Sequence, residues 1–295
     1  LIADDQSEDR TPELLSTWAA LSQNRKIITV LPSQTRLFHP NGKANALAIL
    51  AKEAQGEFFF FTDADCEVPS TWISEGVSCF GQNVGLVIGI TQVRSGNLFE
   101  AMQEMDWWNT LGIVKVVTDL GFSTTGLGNN MAISREAYFK CRGFESIPFS
   151  LTEDLEISRA VIKSGFRQVH QVSPRMLITT KAEATWRDLL RQRKRWMHGV
   201  MSLSVGWKIL LGLQFLFFPL IGILLFLIPS FGLGLWVVKV FYQSLFLQKI
   251  ASYTNQKLRV SALVIFDFYQ ILALSLTILY YFWPVQTQWK ARKYP

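Results

Sequence analysis

The feature that most constrains this chain is a stretch of 30 residues, Ile209 to Val238, that contains no charged side chain. About 20 residues of helix cross the hydrocarbon core of a bilayer, so this stretch is too long for one upright span and too short for two. Pro229 offers a break, which predicts spans at 209–228 and 231–248, and a further candidate covers 260–283. A buried helix of a soluble protein is the alternative, but such helices rarely run this far without charge. The sequence therefore predicts two or three membrane spans.

Charge divides the chain in the same way. Residues 201–295 carry a formal charge of +7, with Asp267 as their one acid, whereas residues 1–200 carry −1. The basic residues flank apolar runs, where charge anchors a membrane protein, so no nucleic-acid partner is expected. Basic residues at 249–259 and 290–293 cannot all be cytoplasmic with three simple spans, which leaves the topology open. We predict a folded domain over 1–200 and a transmembrane region over 201–295.

Cysteine and histidine usage excludes two classes of protein. The three cysteines form no CxxC pair and the three histidines are scattered, so neither a disulfide framework nor a zinc site of the usual spacing is expected. A reducing compartment fits this usage best. The chain begins at Leu1, inside an apolar run, from which we expect it to be a fragment whose own N-terminus lies further upstream.

Residues 1–180 alternate short apolar runs with helical patterns, which is typical of an α/β sheet. Strands are predicted at 26–31, 57–62 and 84–93. Helices are predicted at 11–21, 43–54, 98–117, 150–163 and 185–198. The four consecutive phenylalanines Phe58–Phe61 favour a central strand that is covered on both faces.

Two carboxylates, Asp63 and Asp65, follow the phenylalanine strand directly. In an open α/β sheet the ligand crevice lies at the carboxyl ends of the strands. Two acids one residue apart can hold Mg²⁺ or Mn²⁺ against a diphosphate, because these cations prefer hard oxygen ligands. A surface turn is the alternative, but the position at a strand end favours the metal site.

Three other polar positions have both a ligand-binding and a structural explanation. Asp4 and Asp5 end a strand-like run, where acids can receive a ribose or base, or can simply lead into a helix. Lys43 lies at a predicted helix N-terminus, where the dipole disfavours a cation, so it fits either an anionic ligand or a solvated side chain. Asn129 lies beside Gly128 in a polar stretch that allows close backbone approach to a ligand, or that forms a plain loop.

Two helices carry the remaining candidates. Glu153 and Asp154 open the first, where acids complement the helix dipole or where Asp154 could act as a general base. Gln192, Arg195 and Trp196 have i, i+3, i+4 spacing and therefore share one face of the second. This face suits an interfacial helix, a diphosphate clamp with a platform for a sugar, or both.

The order of these motifs resembles that of the membrane-bound family 2 glycosyltransferases, which include the cellulose, chitin and hyaluronan synthases and the ceramide glucosyltransferases. The motifs that carry the resemblance are Asp4-Asp5, Gly42-Lys43, Asp63-Ala64-Asp65, Gly128-Asn129-Asn130, Thr152-Glu153-Asp154 and the QxxRW sequence from Gln192 to Trp196. The resemblance implies a GT-A fold and inverting transfer from a nucleotide sugar such as a UDP-sugar. It also implies a first strand and helix, and an N-terminal span, ahead of residue 1.

The resemblance implies a role for each donor-side residue. Asp5 or Asp4 contacts the nucleoside, Lys43 contacts the vicinity of the nucleoside or the diphosphate, and Asn129 belongs to the nucleotide-sugar site. Asp63 also binds the donor and, together with Asp65, holds Mg²⁺ or Mn²⁺.

On the acceptor side, the resemblance makes Asp154 the base that deprotonates the attacking hydroxyl. Arg195 offsets charge on the departing diphosphate. Glu153, Gln192 and Trp196 contact the acceptor or the diphosphate, and Trp196 packs against a sugar.

We therefore expect an enzyme that adds sugar to a growing polysaccharide at the cell membrane, with several spans and a cytoplasmic catalytic domain. The alternatives are a glycosyltransferase that makes a glycolipid by single addition, and a membrane protein that binds sugar nucleotides without turnover. The expected partners are a nucleotide-sugar donor, a glycan or lipid acceptor and the lipid bilayer, and the sequence leaves a partner for export or assembly open.

Overall fold

The computed structural model describes residues 1–31, 34, 36–289 and 292–294. The chain forms two compact units. Unit 1 comprises residues 1–62, 76–88 and 123–169, and unit 2 comprises residues 63–75, 89–122 and 170–295.

Helices and strands alternate up to residue 181, after which the chain is mainly helical. The strands are β1 (Ile2–Asp4), β2 (Ile27–Thr29), β3 (Phe58–Phe61), β4 (Cys66–Glu67), β5 (Val84–Ile88), β6 (Ile90–Arg94), β7 (Met131–Ser134), β8 (Arg167–His170), β9 (Leu177–Lys181), β10 (Thr287–Trp289) and β11 (Arg292–Tyr294). The helices are α1 (Thr11–Ala20), α2 (Gly42–Glu53), α3 (Trp72–Ser78), α4 (Leu98–Asp119), α5 (Arg135–Lys140), α6 (Glu153–Lys163), α7 (Trp186–Met201), α8 (Val205–Leu227), α9 (Pro229–Ser252) and α10 (Val260–Phe282).

Unit 1 is built on a four-stranded sheet in the order β3-β7-β5-β8. β7 runs antiparallel to both β3 and β5, and helices α5 and α6 pack on β5. The core of this sheet is fully buried at Leu86, Val87, Ile88, Met131, Ala132 and Ile133. A separate parallel pair, β1 with β2, ends where Asp4 pairs with Thr29.

Two strand predictions are wrong. The phenylalanine strand β3 lies at the end of its sheet, not at the centre, and its residues alternate between half-buried and buried. Within the described part of the chain it pairs with β7 alone, and aromatic rings from Tyr138 and Phe144 cover its buried side. The single strand predicted at 84–93 is two strands in different sheets, β5 and β6. They separate at Gly89, whose carbonyl accepts a hydrogen bond from His170 Nε2 (3.0 Å).

Unit 2 combines a three-stranded sheet with the long helices of the chain. In the order β4-β9-β6, β9 is antiparallel to β4 and parallel to β6. Helix α4 packs on β6 and also on α9 and α10, and α7 packs on α10. The approach of α4 to α9 depends on Gly112, where a Cβ atom would lie 2.8 Å from the ring of Phe246. The sheet of unit 2 and its apolar helices therefore belong to one packed body.

Three helices of unit 2 are long and apolar enough to cross a membrane, namely α8, α9 and α10. Pro229 begins α9, because proline fits the first turn of a helix and breaks the interior of one. Most of the surface of α8 and α9 is exposed, as expected of helices that face lipid.

The charges inside these apolar helices pair with each other. Lys239 of α9 donates to the carboxylate of Asp267 in α10, and Trp236 Nε1 donates to the other oxygen of Asp267 (2.6 Å). Gln243 accepts from Lys239 (2.6 Å) and donates to Gln270 of α10 (3.0 Å). Since an isolated charge is costly in hydrocarbon, this network makes Lys239 and Asp267 compatible with spans that the sequence alone left doubtful.

Candidate active site

In unit 1, Asp4 ends β1 and Asp5 follows it, so the two acids lie at a strand end as predicted. Asp4 is buried, and its Oδ1 accepts from the amide of Ser7 (3.1 Å), so this carboxylate holds the turn after the strand. Gln6 has a φ of +62°, which shows how sharply the chain bends there. Asp5 is half-buried beside this turn and is the better placed of the two acids to meet a ligand.

The N-terminus of helix α2 is fixed by its cap. Asn41 Oδ1 accepts from the amides of Lys43 (2.9 Å) and Ala44 (3.2 Å), and its Nδ2 donates to the carbonyl of Ser150 (2.6 Å). His39 Nδ1 accepts from the amide of Asn41 (3.0 Å), which leaves Nε2 to donate to the carbonyl of Ile147 (3.2 Å). The cap therefore ties α2 to the segment that leads into α6.

A buried ion pair also joins the N-terminus of α2 to that of α6. Lys43 Nζ lies 3.2 Å from Glu153 Oε1, and the side chains are 17% and 3% exposed. A cation at a helix N-terminus opposes the dipole, and the buried carboxylate offsets that cost. Lys43 is therefore not the solvated surface lysine that the sequence left as an alternative.

Asp154 lies against a glycine-containing loop. Its Oδ2 accepts from the amide of Gly128 (3.0 Å), and its Oδ1 accepts from the amide of Leu155 (2.9 Å). A Cβ atom on Gly126 would lie 2.4 Å from the carbonyl oxygen of Asp154, and one on Gly128 would lie 3.2 Å from Lys43 Nζ. Glycine at both positions thus lets the loop approach α6 and brings Lys43, Glu153 and Asp154 into one group.

Asn129 follows directly in this loop and is buried. The amide of Asn130 donates to the carbonyl of Leu127 (2.8 Å), which closes a turn around Gly128 and Asn129 before β7 begins. Asn129 is therefore positioned by the same turn that presents the Gly128 amide to Asp154.

In unit 2, Asp63 and Asp65 occupy a turn that leads into β4. The carbonyl of Asp63 accepts from the amide of Cys66 (3.2 Å), and Asp65 is exposed with Oδ2 3.9 Å from Lys181 Nζ. Burial raises the pKa of the Cys66 thiol, and the charges of Asp65 and Asp63 raise it further. The thiol stays protonated beside two carboxylates, consistent with both acids facing the same side of the turn.

The donor set at this turn fits a hard divalent cation. Among the described residues no cluster of three or more acids, histidines and cysteines completes a metal site. Mg²⁺ is commonly held by one or two carboxylates together with substrate phosphates, so Asp63 and Asp65 suffice when the donor supplies the remaining oxygens.

Helix α7 begins with a side-chain cap. Thr185 Oγ1 accepts from the amide of Asp188 (3.2 Å) and donates to its carboxylate (2.6 Å). Beyond it, Gln192 Nε2 donates to Glu183 Oε1 (2.7 Å).

Trp196 packs within unit 2. Its ring meets that of Trp107 from α4 edge to face, with centroids 5.7 Å apart, and the guanidinium of Arg193 lies 4.9 Å from its centroid. Arg193 in turn pairs with Asp106 of α4. Protein groups therefore cover part of the ring that the sequence analysis assigned to a sugar.

Glu183 is a residue that the sequence analysis missed. Its backbone is held by the side-chain amide of Gln103, which donates to the Glu183 carbonyl and accepts from its amide (both 2.9 Å). Burial raises the pKa of its carboxyl, Asp188 and Asp65 raise it further, and Lys181 and Arg195 oppose them.

Glu183 thus lies close enough to interact electrostatically with the turn at Asp63-Ala64-Asp65 (the DxD turn) and with α7, the helix that carries the QxxRW sequence. The signal that could have found it is its place two residues beyond β9, the strand-end position that singled out Asp63 and Asp65.

The structure accordingly gathers the predicted residues into two groups. In unit 1, Lys43, Glu153 and Asp154 surround Gly128. In unit 2, β4, which follows the turn of Asp63 and Asp65, pairs with β9, which precedes α7, and Glu183 accepts a hydrogen bond from Gln192 of α7.

A family model described as glycosyl transferase family 21 matches residues 8–295. The chain belongs to glycosyltransferase family 21. Membership confirms the glycosyltransferase expected from the motifs, while the assignment to family 2 stays a prediction. The family 21 sequence has no significant match among curated proteins.

The family 21 chain also resembles solved glycosyltransferase structures. A mannosyltransferase from Pyrobaculum calidifontis, in complex with GDP-Man and Mn²⁺, aligns at a TM-score of 0.55 with 17% identity, covering 96% of this chain and 77% of that one. This likeness confirms the predicted α/β fold of the GT-A type, with three helices apolar enough to span a membrane after it.

Two further structures align over part of the family 21 chain. Mannosyl-3-phosphoglycerate synthase from Rubrobacter xylanophilus has 18% identity and a TM-score of 0.42, covering 68% of this chain and 61% of that one. Glucosyl-3-phosphoglycerate synthase from Mycobacterium tuberculosis, in complex with uridine diphosphate, has 21% identity and a TM-score of 0.38, covering 64% and 63%. At these TM-scores neither adds to the fold assignment, and this chain spans less than two thirds of either protein.

Proposed function

We propose that this family 21 chain transfers a sugar from a nucleotide sugar, with inversion, to a hydroxyl group presented at a membrane. The observation that carries the proposal is the group formed by Lys43, Glu153 and Asp154 around Gly128. In it, a cation held by a buried ion pair lies near a half-buried carboxylate at the N-terminus of α2, where the helix dipole favours an anionic ligand.

The donor side uses residues whose chemistry suits a nucleoside diphosphate. Asp5, with Asp4 holding its turn, binds the nucleoside, and Asn129 adds an amide to the donor site. Lys43 binds the diphosphate, and Glu153 holds Lys43 in place through the buried ion pair.

Asp63 and Asp65 hold Mg²⁺ or Mn²⁺, which neutralises charge on the diphosphate when bound. The mannosyltransferase from Pyrobaculum calidifontis was solved with Mn²⁺, which supports a divalent metal here.

The reaction needs one proton acceptor. Asp154 takes the proton of the acceptor hydroxyl as that oxygen attacks the anomeric carbon, and the bond from this carbon to the diphosphate oxygen breaks on the opposite face. Arg195 offsets the charge on the departing diphosphate. Gln192, held by Glu183, binds the acceptor or the diphosphate, and Trp196 offers its uncovered surface to a sugar.

For the acceptor we propose a membrane lipid, so that the product is a glycolipid. The supporting observation is that α7 packs on α10, where Lys194 Nζ donates to the carbonyls of Trp283 (2.8 Å) and Val285 (2.7 Å). This bond fixes the QxxRW helix at the end of an apolar helix, the depth at which a lipid hydroxyl emerges.

A growing polysaccharide is the second candidate acceptor, favoured by the QxxRW motif itself. In either case we propose that α8, α9 and α10 cross the cell membrane and that the catalytic residues face the cytoplasm.

The test uses membranes that contain the full-length protein, a panel of radiolabelled nucleotide sugars, and Mg²⁺, Mn²⁺ or a chelator. Label is counted separately in the lipid extract and in insoluble polymer. Asp154→Asn is the blank, and Glu156→Gln, which changes the nearby acid paired with Arg159, is the matched control.

Metal-dependent label in lipid that Asp154→Asn abolishes and Glu156→Gln retains supports the proposal. Label found in polymer and not in the lipid extract would mean that the acceptor is a polysaccharide and not a lipid. Donor binding without label in either fraction favours a protein that binds sugar nucleotides without turnover.

A further inference from the structure

A cavity of about 310 Å³ lies in unit 2 between α7 and the chain that follows α10. Its lining comprises Arg187, Arg191 and Lys194 of α7, Tyr280 of α10, and the segment from Val285 to Thr287. The volume is within the range of sites that hold small molecules or headgroups. The roles proposed above for α7 use Lys194 only to fix the helix on α10, and they use neither arginine of the lining.

The three basic residues form one stripe of α7. Arg187, Arg191 and Lys194 have i, i+4, i+7 spacing, so they lie on the same face. Like charges at this spacing repel, which makes the stripe unfavourable unless an anion faces it. Asp188 is the acid that meets the stripe, with Oδ1 3.6 Å from Arg191, and its other oxygen accepts from Thr185. Among the described residues, the stripe forms this one ion pair with an acid, so the lining of the cavity is cationic.

Lys194 and the arginines have different surroundings. Lys194 is buried and donates to three carbonyls at the end of α10, those of Tyr280 (3.3 Å), Trp283 (2.8 Å) and Val285 (2.7 Å). Its charge thereby complements the negative end of the α10 dipole. Arg187 is exposed and Arg191 has 37% of its side chain exposed, so both guanidinium groups can reach a ligand.

The cavity lies at the end of a helix that is apolar enough to cross a membrane. Beside it, Phe282 and Trp283 are 71% and 64% exposed, and Val285 is 45% exposed. Aromatic residues at the end of a span mark the level of the lipid headgroups. A cationic cavity at this depth faces phosphates of the bilayer surface.

The stripe is also distinct from the QxxRW face. At about 100° per residue along a helix, Gln192 and Trp196 fall on the side of α7 opposite the stripe. The hydrogen bond from Gln192 to Glu183 and the contact of Trp196 with Trp107 occur on that other side. Arg195 lies nearer to the stripe, at i+4 from Arg191, but it does not line the cavity. The UDP probe in the experiment below therefore tests whether the cavity and the diphosphate site are separate.

We propose that this cavity binds the phosphate of an anionic lipid headgroup. Arginine forms paired hydrogen bonds to phosphate oxygens through its planar fork, and two such forks line the cavity. The inference rests on the part of the proposed function that places α10 across a membrane, but not on the transfer reaction.

The experiment measures lipid binding to the purified full chain in detergent by native mass spectrometry. The probes are phosphatidylglycerol, phosphatidylcholine, inorganic phosphate and UDP. The variant Arg187→Gln/Arg191→Gln removes two charges from the cavity and leaves Lys194 to hold α10. The matched control, Lys208→Gln/Arg259→Gln, removes two charges from positions near the starts of α8 and α10 that do not line the cavity.

We expect the wild-type chain to bind phosphatidylglycerol more tightly than phosphatidylcholine. The cavity variant should weaken phosphatidylglycerol binding by about fivefold for each charge removed, or roughly 25-fold, and the control by less than about threefold. Arg187→Lys/Arg191→Lys keeps the charge without the fork and should fall between the wild type and the glutamine variant. Equal melting temperatures of the variants show that any loss of binding is not a loss of folding.

Three results overturn the inference: equal binding of the two lipids, equal losses in the cavity variant and the control, or displacement of phosphatidylglycerol by inorganic phosphate or UDP at similar concentrations. Sugar transfer assayed on the same preparations separates this inference from the proposed reaction, since a wild-type chain that transfers sugar but binds the two lipids equally contradicts only the former. Absence of transfer with selective lipid binding contradicts only the latter.

Discussion

The two units hold their functional groups in different ways. In unit 1 the carboxylate of Asp154 accepts a hydrogen bond from a backbone amide. The loop that supplies this amide lies close to α6 because it has glycine at positions 126 and 128, where a side chain would crowd Asp154 or Lys43. In unit 2 the group around Glu183 is fixed by side chains, namely the amides of Gln103 and Gln192. A site built on backbone contacts is rigid and sensitive to added atoms, whereas one built on side chains is sensitive to their removal.

The largest effect is expected at the buried ion pair of unit 1. Lys43→Met leaves the Glu153 carboxylate buried without its cation and should lower the free energy of unfolding by about 3–5 kcal/mol. Lys26→Met, which breaks an exposed pair with Glu53 in the same unit, should cost less than about 1 kcal/mol. Thermal unfolding in detergent measures both.

The double variant Lys43→Met/Glu153→Gln removes both charges of the buried pair and should recover most of the stability without recovering donor binding. Equal losses in the two single lysine variants would show that burial of the unit 1 pair carries no energetic weight.

A second test uses pH and concerns unit 2. Burial, together with the charge of Lys115, lowers the pKa of His170 to about 4 from an ordinary value of 6.5. Between these values the unfolded chain binds a proton that the folded chain does not, so stability is lost as pH falls from about 6.5 to about 4. The difference corresponds to about 3 kcal/mol.

The variant His170→Gln has no side chain that binds a proton over this pH range. Its free energy of unfolding, from unfolding curves recorded at several pH values, should therefore depend less on pH. An identical slope for the variant and the wild-type chain contradicts this assignment.

The third largest effect is expected from adding side-chain volume to the loop of unit 1. Gly126→Ala places a methyl group 2.4 Å from the carbonyl oxygen of Asp154, and the shift of α6 or of the loop should cost about 2 kcal/mol and lower turnover. Gly81→Ala is the matched control, because a Cβ atom there meets nothing within 4 Å. Loss of turnover in Gly126→Ala but not in Gly81→Ala is expected, whereas equal turnover in both would mean that the loop is not held close to Asp154.

The smallest effect concerns the side-chain group of unit 2. Glu183→Ala releases Gln192 and should lower kcat/KM by about tenfold with little change in melting temperature. Glu183→Gln keeps an acceptor oxygen for Gln192 and should lose much less. Glu67→Ala, at an exposed acid paired with Arg94, should behave as the wild-type chain does. A loss of melting temperature that matches the loss of activity would mean that Glu183 is structural only.

Local features of the fold could be predicted from the sequence because local chemistry decides them. Pro229 begins α9, and Thr185 caps α7 through a bond to Asp188. The position of β3 could not be predicted, since a run of phenylalanines shows burial but not how many strands pair with it. The break between β5 and β6 at Gly89 could not be predicted either, because the hydrogen-bond partner of Gly89, His170, is distant in the sequence.

The candidate site also has parts that could be predicted from the sequence and parts that could not. The motif residues were predicted, since each combines an unusual residue type with a strand end or a helix start. Their partners depend on contacts between distant segments, such as Lys43 with Glu153 or Glu183 with Gln192. Periodicity and propensity do not encode such contacts. Glu183 was missed because no strand was predicted at β9, whose end would have pointed to it.

The central claim is that Asp154 is the base of a nucleotide-sugar transferase, and one measurement tests it most directly. The donor found in the radiolabel panel is titrated onto wild-type and Asp154→Asn protein, and nucleoside diphosphate release is followed in the same samples. The account predicts donor affinities within about twofold of each other and turnover lower by about 10²–10⁴-fold in the variant. Turnover that survives the substitution, or donor affinity that falls together with turnover, would contradict it.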